Sequence, residues 1–204
     1  MESTSTAGQG SFVPQNSAEP QSQALAASSP VAACHRVFTT VLGEMVVAVG
    51  DFDGHPALTG VWFKDQKHFP DAETLGHHDN GANSLLQQAQ EQILEWLAGD
   101  RQEFDLPLAL GSKPQGLRPR VWQELRQIPH GTTTTYGELA AQMGGKGMAQ
   151  AVGQAVGRNP WSIVLPCHRV VSSTGALTGY AGGLERKRWL LTAEGSLPQE
   201  PELF

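Results

Sequence analysis

The sequence predicts an α+β protein in two parts: a small antiparallel sheet with a helix packed on it, then a mainly helical part. Three observations predict it. Between Arg36 and Phe63, three short runs rich in β-branched and aromatic residues are separated by turn signals. From Leu86 onward, apolar residues recur at helical spacing. Between Thr135 and Arg158, two short helical stretches flank Gly144-Gly145-Lys146-Gly147, the outline of a helix-turn-helix.

The 204 residues have room for one domain or two small ones with a real core. Residues 1–33 are rich in Ser, Ala, Gln and Pro, hold no Lys or Arg, and show no apolar periodicity, so a disordered tail is expected. No stretch approaches the length of a membrane span, and no basic n-region precedes an apolar one, so neither a membrane nor secretion is expected. Two cysteines, Cys34 and Cys167, are too few for a disulfide scaffold and suit a reducing compartment. The net charge of −6 argues at first against nucleic acid. Its distribution reverses that. Residues 1–113 hold 5 Lys/Arg against 14 Asp/Glu, a net −9, and residues 114–204 hold 9 against 6, a net +3. The second half is the one able to approach phosphates.

Strands are expected over Arg36–Val41, Met45–Val49 and Ala57–Phe63, with turns at Leu42-Gly43-Glu44 and Asp51-Phe52-Asp53-Gly54. Residues 65–83 contain His68, Asp71, His77, His78 and Asp79. No set of them has zinc-ligand spacing, so no metal is expected and the stretch reads as a solvated loop. Ser84-Leu85-Leu86-Gln87 resembles a capping box opening a helix with Leu86, Ala89, Ile93 and Leu97 inward and Gly99 as its stop. That helix closes the first part, at residues 34–113. The second part, residues 114–196, begins with a helix marked by Leu117, Val121, Trp122, Leu125 and Ile128, stopped at Pro129-His130-Gly131. A capping box of Thr135 and Glu138 opens the next helix, which runs through Met143, and a further short one spans 148–158. Leu184–Ala193 forms the last helix, with Leu184, Trp189, Leu190 and Leu191 to pack and Gly195 as stop; residues 197–204 are a short tail.

The chemistry concentrates in Ile163-Val164-Leu165-Pro166-Cys167-His168-Arg169-Val170-Val171. A thiol between apolar residues is ordinarily a buried, inert core cysteine. Here Pro166 stiffens the chain before it, and His168 stands ready to lower its pKa or carry its proton. Cys34-His35-Arg36-Val37 repeats the Cys-His-Arg-Val string. It lacks the apolar run, the proline and everything downstream, and reads as coincidence.

The Pro-Cys-His-Arg-Val core stands in order with Tyr136-Gly137-x-Leu139-Ala140, Ala151-Val152-Gly153, Asn159-Pro160, Tyr180-Ala181-Gly182-Gly183, Trp189-Leu190-Leu191 and Glu194-Gly195. This pattern resembles the O6-alkylguanine-DNA alkyltransferase family across residues 35–196, densely after 117 and loosely before. The resemblance implies a ribonuclease-H-like first part and a winged-helix-like second part. It implies irreversible transfer of an alkyl group from O6 of guanine, or O4 of thymine, in double-stranded DNA onto Cys167, without a cofactor. A thiolate is a strong soft nucleophile, which a serine hydroxyl is not. By resemblance His168 accepts the thiol proton through a water, and Glu194 orients His168, which is triad logic with a water interposed. Tyr136 and the backbone N–H of Ala181 face N3 and O6 of the leaving guanine, and carbonyls of Cys167 and Val170 read its amine. Asn159 braces the loop. The base is flipped out of the duplex, past Gln150, Ala151, Arg158, Arg169 and Tyr180 on the DNA side. A monomer in the cytoplasm is implied, at the nucleoid in a bacterium, or in the nucleus of a eukaryote.

Plainer readings stand beside these: Tyr136 as a core tyrosine, Asn159 as a helix cap, Glu194 as a surface residue. Trp161 replaces the family's small or aliphatic residue and either lines the pocket or packs. At Gln150 and Ala181 the family has an arginine and a serine. The arginine fills the gap left by the flipped base, and glutamine is shorter and neutral. Two other functions compete. A lesion-binding sensor that flags damage without repairing it is disfavoured by Cys167, and a cysteine hydrolase by the lack of any oxyanion-hole motif.

Overall fold

Three strands form the expected meander: β1 (Ala32–Thr40), β2 (Gly43–Phe52) and β3 (His55–Phe63). The computed structural model describes residues 1, 32–111 and 115–198, so the expected tail falls almost wholly outside the described residues, as does most of the short C-terminal one. Each strand is longer than the apolar runs alone indicate. The β2–β3 turn is built on Asp53 and Gly54, both at positive φ (53° and 79°), the Asp-Gly hairpin chemistry that matches strand twist.

The sheet order is β3-β2-β1-β4, and both faces are covered. On one face Met45, Val47 and Val49 join the main core; on the other Val46, Ala48 and Trp62 meet Ala32 and Leu75. The second face explains why residues 65–83 are not the solvated loop expected from their polarity. They contain α1 (Ala72–Leu75), capped by Asp71, whose Leu75 plugs that face, and β4 (His77–His78), which pairs in parallel with β1. Asp79 is buried, salt-bridged to Arg36, and accepts the N–H groups of Gly81, Ala82 and Asn83. The histidines lie on exposed or edge positions, and no group of ligating side chains gathers among the described residues.

Helix α2 (Ser84–Ala98) packs on the sheet. Its cap is Asn83, one residue before the expected Ser84, because Asp79 holds the Asn83 N–H and Asn83 Oδ1 then accepts from Leu86 N at 3.1 Å. Trp96 takes the inward place expected of Leu97, which is only half-buried. Gly99, at φ 85°, ends the helix as expected.

The second half comprises α3 (Leu117–Leu125), β5 (Thr134–Thr135), α4 (Tyr136–Gln142), a 3₁₀ turn at Lys146–Met148, α5 (Ala149–Gly157), a 3₁₀ turn at Cys167–Arg169, β6 (Val170–Val171) and α6 (Leu184–Ala193). The Thr135–Glu138 capping box is present in both directions. Trp122 Nε1 donates to Ala155 O (2.9 Å), fastening α3 to α5. The inward stripe of α6 is Lys187, Leu190 and Leu191. Leu184, expected to pack, is 49% exposed although it is in register with that stripe, because it sits at the first helical position after Gly183, a turn short of the buried residues.

The edge of β3 joins the two halves. Pro107 O and Ala109 N bond Leu58, and further along Val61 N donates to Pro160 O while Ser162 N donates to Val61 O, both at 2.8 Å. The loop leading to Cys167 is thereby an extension of the sheet edge. No helix among the described residues is long and apolar enough to cross a membrane.

Candidate active site

The residues from Asn159 to Val171 are buried almost throughout, an unusual situation for a loop, and many of their polar groups find partners within it. Asn159 does most of this. Its Nδ2 donates to Leu165 O (2.9 Å), Trp161 O (3.3 Å) and Cys167 Sγ (3.1 Å), and its Oδ1 accepts from Trp161 N (3.0 Å). Ile163 is held at φ 71°, a left-handed conformation costly for a β-branched residue, so the loop is over-determined by these contacts. Trp161 packs. Its indole donates to Leu58 O (2.8 Å) and meets Trp122 edge-on.

Cys167 opens the 3₁₀ turn, 4% exposed. Burial pushes its thiol pKa up; the Asn159 amide, the Lys187 ammonium and the N–H groups of Cys167 and His168 pull the other way. His168 and Arg169 both meet one carboxylate. His168 Nε2 lies 3.0 Å from Glu194 Oε1, and Arg169 Nη2 donates to the same oxygen at 2.6 Å. Glu194 is therefore a fully buried anion. Desolvation acts to raise its pKa, but the bonds to His168 and Arg169 outweigh that and bring it down to about 2. Burial lowers the His168 pKa, against the pull of Glu194. A neutral imidazole beside an ionised carboxylate places its proton on Nε2, leaving Nδ1 as a buried acceptor with no partner among the described residues.

Tyr136, at the start of α4, donates to the carbonyls of Thr178 and Gly179 (both 3.2 Å). Burial raises its pKa, partly offset by the Thr178 bond. It lines a cavity of about 480 Å³ together with Gly153, Tyr180, Ala181, Lys67 and His68. Gly182 is required here, since a Cβ would come within 2.8 Å of the Tyr180 ring and 2.9 Å of Phe63. Val170 is buried and its carbonyl is taken by Lys187 Nζ (2.6 Å), which also bonds Thr178 O (2.8 Å). Gln150 and Ala151 are exposed on the first turn of α5, and Arg158 is exposed just past its end.

The fold thus brings Cys167, His168, Glu194 and Asn159 into one buried cluster, and Tyr136, Tyr180 and Ala181 around the adjoining cavity. Arg169 is turned inward to Glu194 and Ile128 O, away from the exposed face that carries Gln150, Ala151 and Arg158. Sequence reasoning missed Lys187. Its signal was a lysine three residues before Leu190, on the stripe that must face inward. Desolvation lowers its pKa to about 8, leaving it largely cationic at neutral pH.

Residues 117–196 match the model of the 6-O-methylguanine DNA methyltransferase DNA-binding domain. A methylated-DNA–protein-cysteine methyltransferase of Mycolicibacterium paratuberculosis is 42% identical over 161 residues, covering 78% of this chain and 91% of its own. The chain belongs to that family. Its Salmonella typhimurium member is 51% identical over 108 residues, 52% of this chain and 62% of its own. Among solved structures of the family, Mycobacterium tuberculosis OGT in complex with DNA superposes with a TM-score of 0.67 at 37% identity, covering 80% of this chain and 93% of that one. The two share the mixed α+β architecture.

Proposed function

We propose that the chain repairs alkylated DNA by direct reversal, acting as a methylated-DNA–protein-cysteine methyltransferase that moves one alkyl group from O6 of guanine, or O4 of thymine, to Cys167. One observation carries the assignment of roles: a buried thiol held by Asn159 and faced by Lys187, next to a histidine whose free Nδ1 is set by Glu194. His168 Nδ1 takes the thiol proton through an intervening water. The Cys167 sulfur attacks the alkyl carbon, the C–S bond forms, and the C–O6 bond breaks with its electron pair passing to the purine. Tyr136, beside the cavity, keeps its proton and donates a hydrogen bond to the ring, the N–H of Ala181 stabilises charge at O6, and the departing guanine anion takes up one proton from water while His168 releases one to it. The product is a thioether, which has no ready leaving group, so each molecule acts once.

In this reading residues 34–113 form a scaffold, ribonuclease-H-like, that supports the site loop. Residues 114–196 form the winged-helix-like DNA-binding part, with α5 as recognition helix and Gln150, Ala151 and Arg158 toward the duplex. Arg169 and Val170 act from behind, Arg169 by fixing Glu194. The protein works as a monomer where DNA and a reducing environment coincide, in the cytoplasm at the nucleoid of a bacterium or in the nucleus of a eukaryote.

Intact mass after mixing with a duplex carrying O6-methylguanine tests this. One added methyl group on Cys167, in an amount never exceeding the protein, is expected. Tight binding with unchanged mass would make the chain a lesion sensor, and repeated turnover a hydrolase.

A further inference from the structure

The mouth of the cavity is partly built by the first half of the chain, through the loop that follows β3. Lys67 N donates to Ala181 O (3.0 Å), tying this loop to the segment that carries Tyr180. His68, at φ 62°, turns the chain so that both Lys67 and His68 line the cavity alongside Gly157 at the end of α5. Arg158 follows α5 directly, and Arg118 stands on the first turn of α3, one turn before the Trp122 indole that bonds Ala155 O near the end of α5, so two more cations lie at this end of α5. Burial and then the fields of Arg158, Lys67 and Arg118 hold the His68 imidazole below the ordinary histidine range.

These cations differ from their neighbours in being unpaired. Lys64, three residues from Lys67, is bonded to Glu44, and Arg186 to Asp65. Lys67, Arg118 and Arg158 are all exposed and make no salt bridge among the described residues. Exposed like charges are tolerated in water, but three of them unpaired at one corner make a local positive field that attracts an anion. Its position names the anion. Gln150 and Arg158 lie at the two ends of α5, eight residues or about 12 Å apart, a length that spans roughly three to four base-pair steps measured along the duplex axis.

We propose that Lys67 and Arg118 join Arg158 in a phosphate clamp at the C-terminal end of α5, gripping the backbone of the damaged strand beside the extruded base. The clamp recruits a loop of the otherwise acidic first half to the DNA, and lies at the end of the recognition helix remote from the uncharged Gln150. It rests on the repair reading given above.

The test is the salt dependence of binding to a short duplex carrying O6-methylguanine, for the full chain and for Lys67→Gln/Arg118→Gln. Removing one phosphate-binding cation lowers the slope of log K against log salt by about 0.9, so the slope of the double variant should fall by nearly two. Lys67→Arg/Arg118→Lys should keep the wild-type slope, which separates lost charge from a damaged fold. An unchanged slope in the glutamine variant overturns the clamp. Failure of the wild-type chain to gain a methyl group by mass overturns the repair reading separately, and the slope comparison still decides whether phosphates bind here.

Discussion

The chain contains the string Cys-His-Arg-Val twice, at 34–37 and at 167–170; in both copies the thiol meets an Asn amide and the arginine a carboxylate, but the backbone that carries them differs. In β1 the first copy alternates. Cys34 and Arg36 face one side, where Arg36 meets Asp79, while His35 faces the other and packs edge-on against His78. The second copy lies on a 3₁₀ turn, where successive side chains diverge by about a third of a turn instead of a half. His168 and Arg169 can then both reach Glu194. Backbone conformation, not residue identity, decides whether the histidine and arginine of the string meet one carboxylate.

The electrostatic surroundings differ as well. Burial raises both thiols. Each thiol also meets an Asn amide and a cation that favour a thiolate, Asn83 and Arg36 at Cys34 and Asn159 and Lys187 at Cys167, but only at Cys34 does a carboxylate, Asp79, come ahead of them and oppose one. The largest expected effect follows from this difference. Cys167→Ala should abolish alkyl transfer, as followed by intact mass, and should leave DNA binding intact; Cys34→Ala should leave transfer at the wild-type level. A methyl group found on Cys34 would erase the distinction.

The two carboxylates sharpen the comparison, since each pairs with the arginine of its own string. Glu194→Gln should slow single-turnover transfer roughly tenfold to a thousandfold, because the His168 tautomer and its capacity to hold a proton are lost. Asp79→Asn should leave the rate alone and lower thermal stability, since it removes an ion pair and weakens the caps at Gly81, Ala82 and Asn83. Both carboxyl pKa values are lowered by folding. Both groups therefore stabilise the fold at neutral pH, and lose that contribution as pH falls below the ordinary carboxylate range; for Glu194 the loss is complete only below about 2. Acid titration of the two variants should show less stability lost than in wild type over that window. Equal rate losses in both variants would mean the first string also feeds the site.

Much of this was legible beforehand for a physical reason: caps, turns and periodicity are local. The Thr135–Glu138 box, the Gly99 stop and the bounds of α6 all depend on residues a few positions apart. The illegible features join distant residues. Nothing near 65–83 announces that Leu75 plugs the second face of the sheet, or that Asp79 captures Arg36 across 43 positions. Within the site, Cys167, His168, Asn159 and Glu194 stood out through a known pattern, but the inward turn of Arg169 did not. It depends on where Ile128 O and Glu194 meet, which only the packing of α6 decides.

Gln150 inverts the comparison, for here context resembles the family's and identity differs. It is exposed on the first turn of α5, where the family's pattern carries an arginine. An arginine entering the duplex fills the vacated stack and also places charge among phosphates. Glutamine can do the first in part and the second not at all, so on the proposed reading the extruded state should be less favoured here. Extrusion costs a few kcal/mol in an intact duplex and much less where the base is already unpaired. Gln150→Arg should therefore speed transfer on duplex DNA more than on a single strand, and steepen the salt dependence of binding by up to about one counterion. Single-turnover methyl transfer on matched duplex and single-stranded substrates measures the first effect. A duplex rate that stays the same or falls would show that identity at position 150 matters no more than it does in the two Cys-His-Arg-Val strings, and that another residue fills the gap.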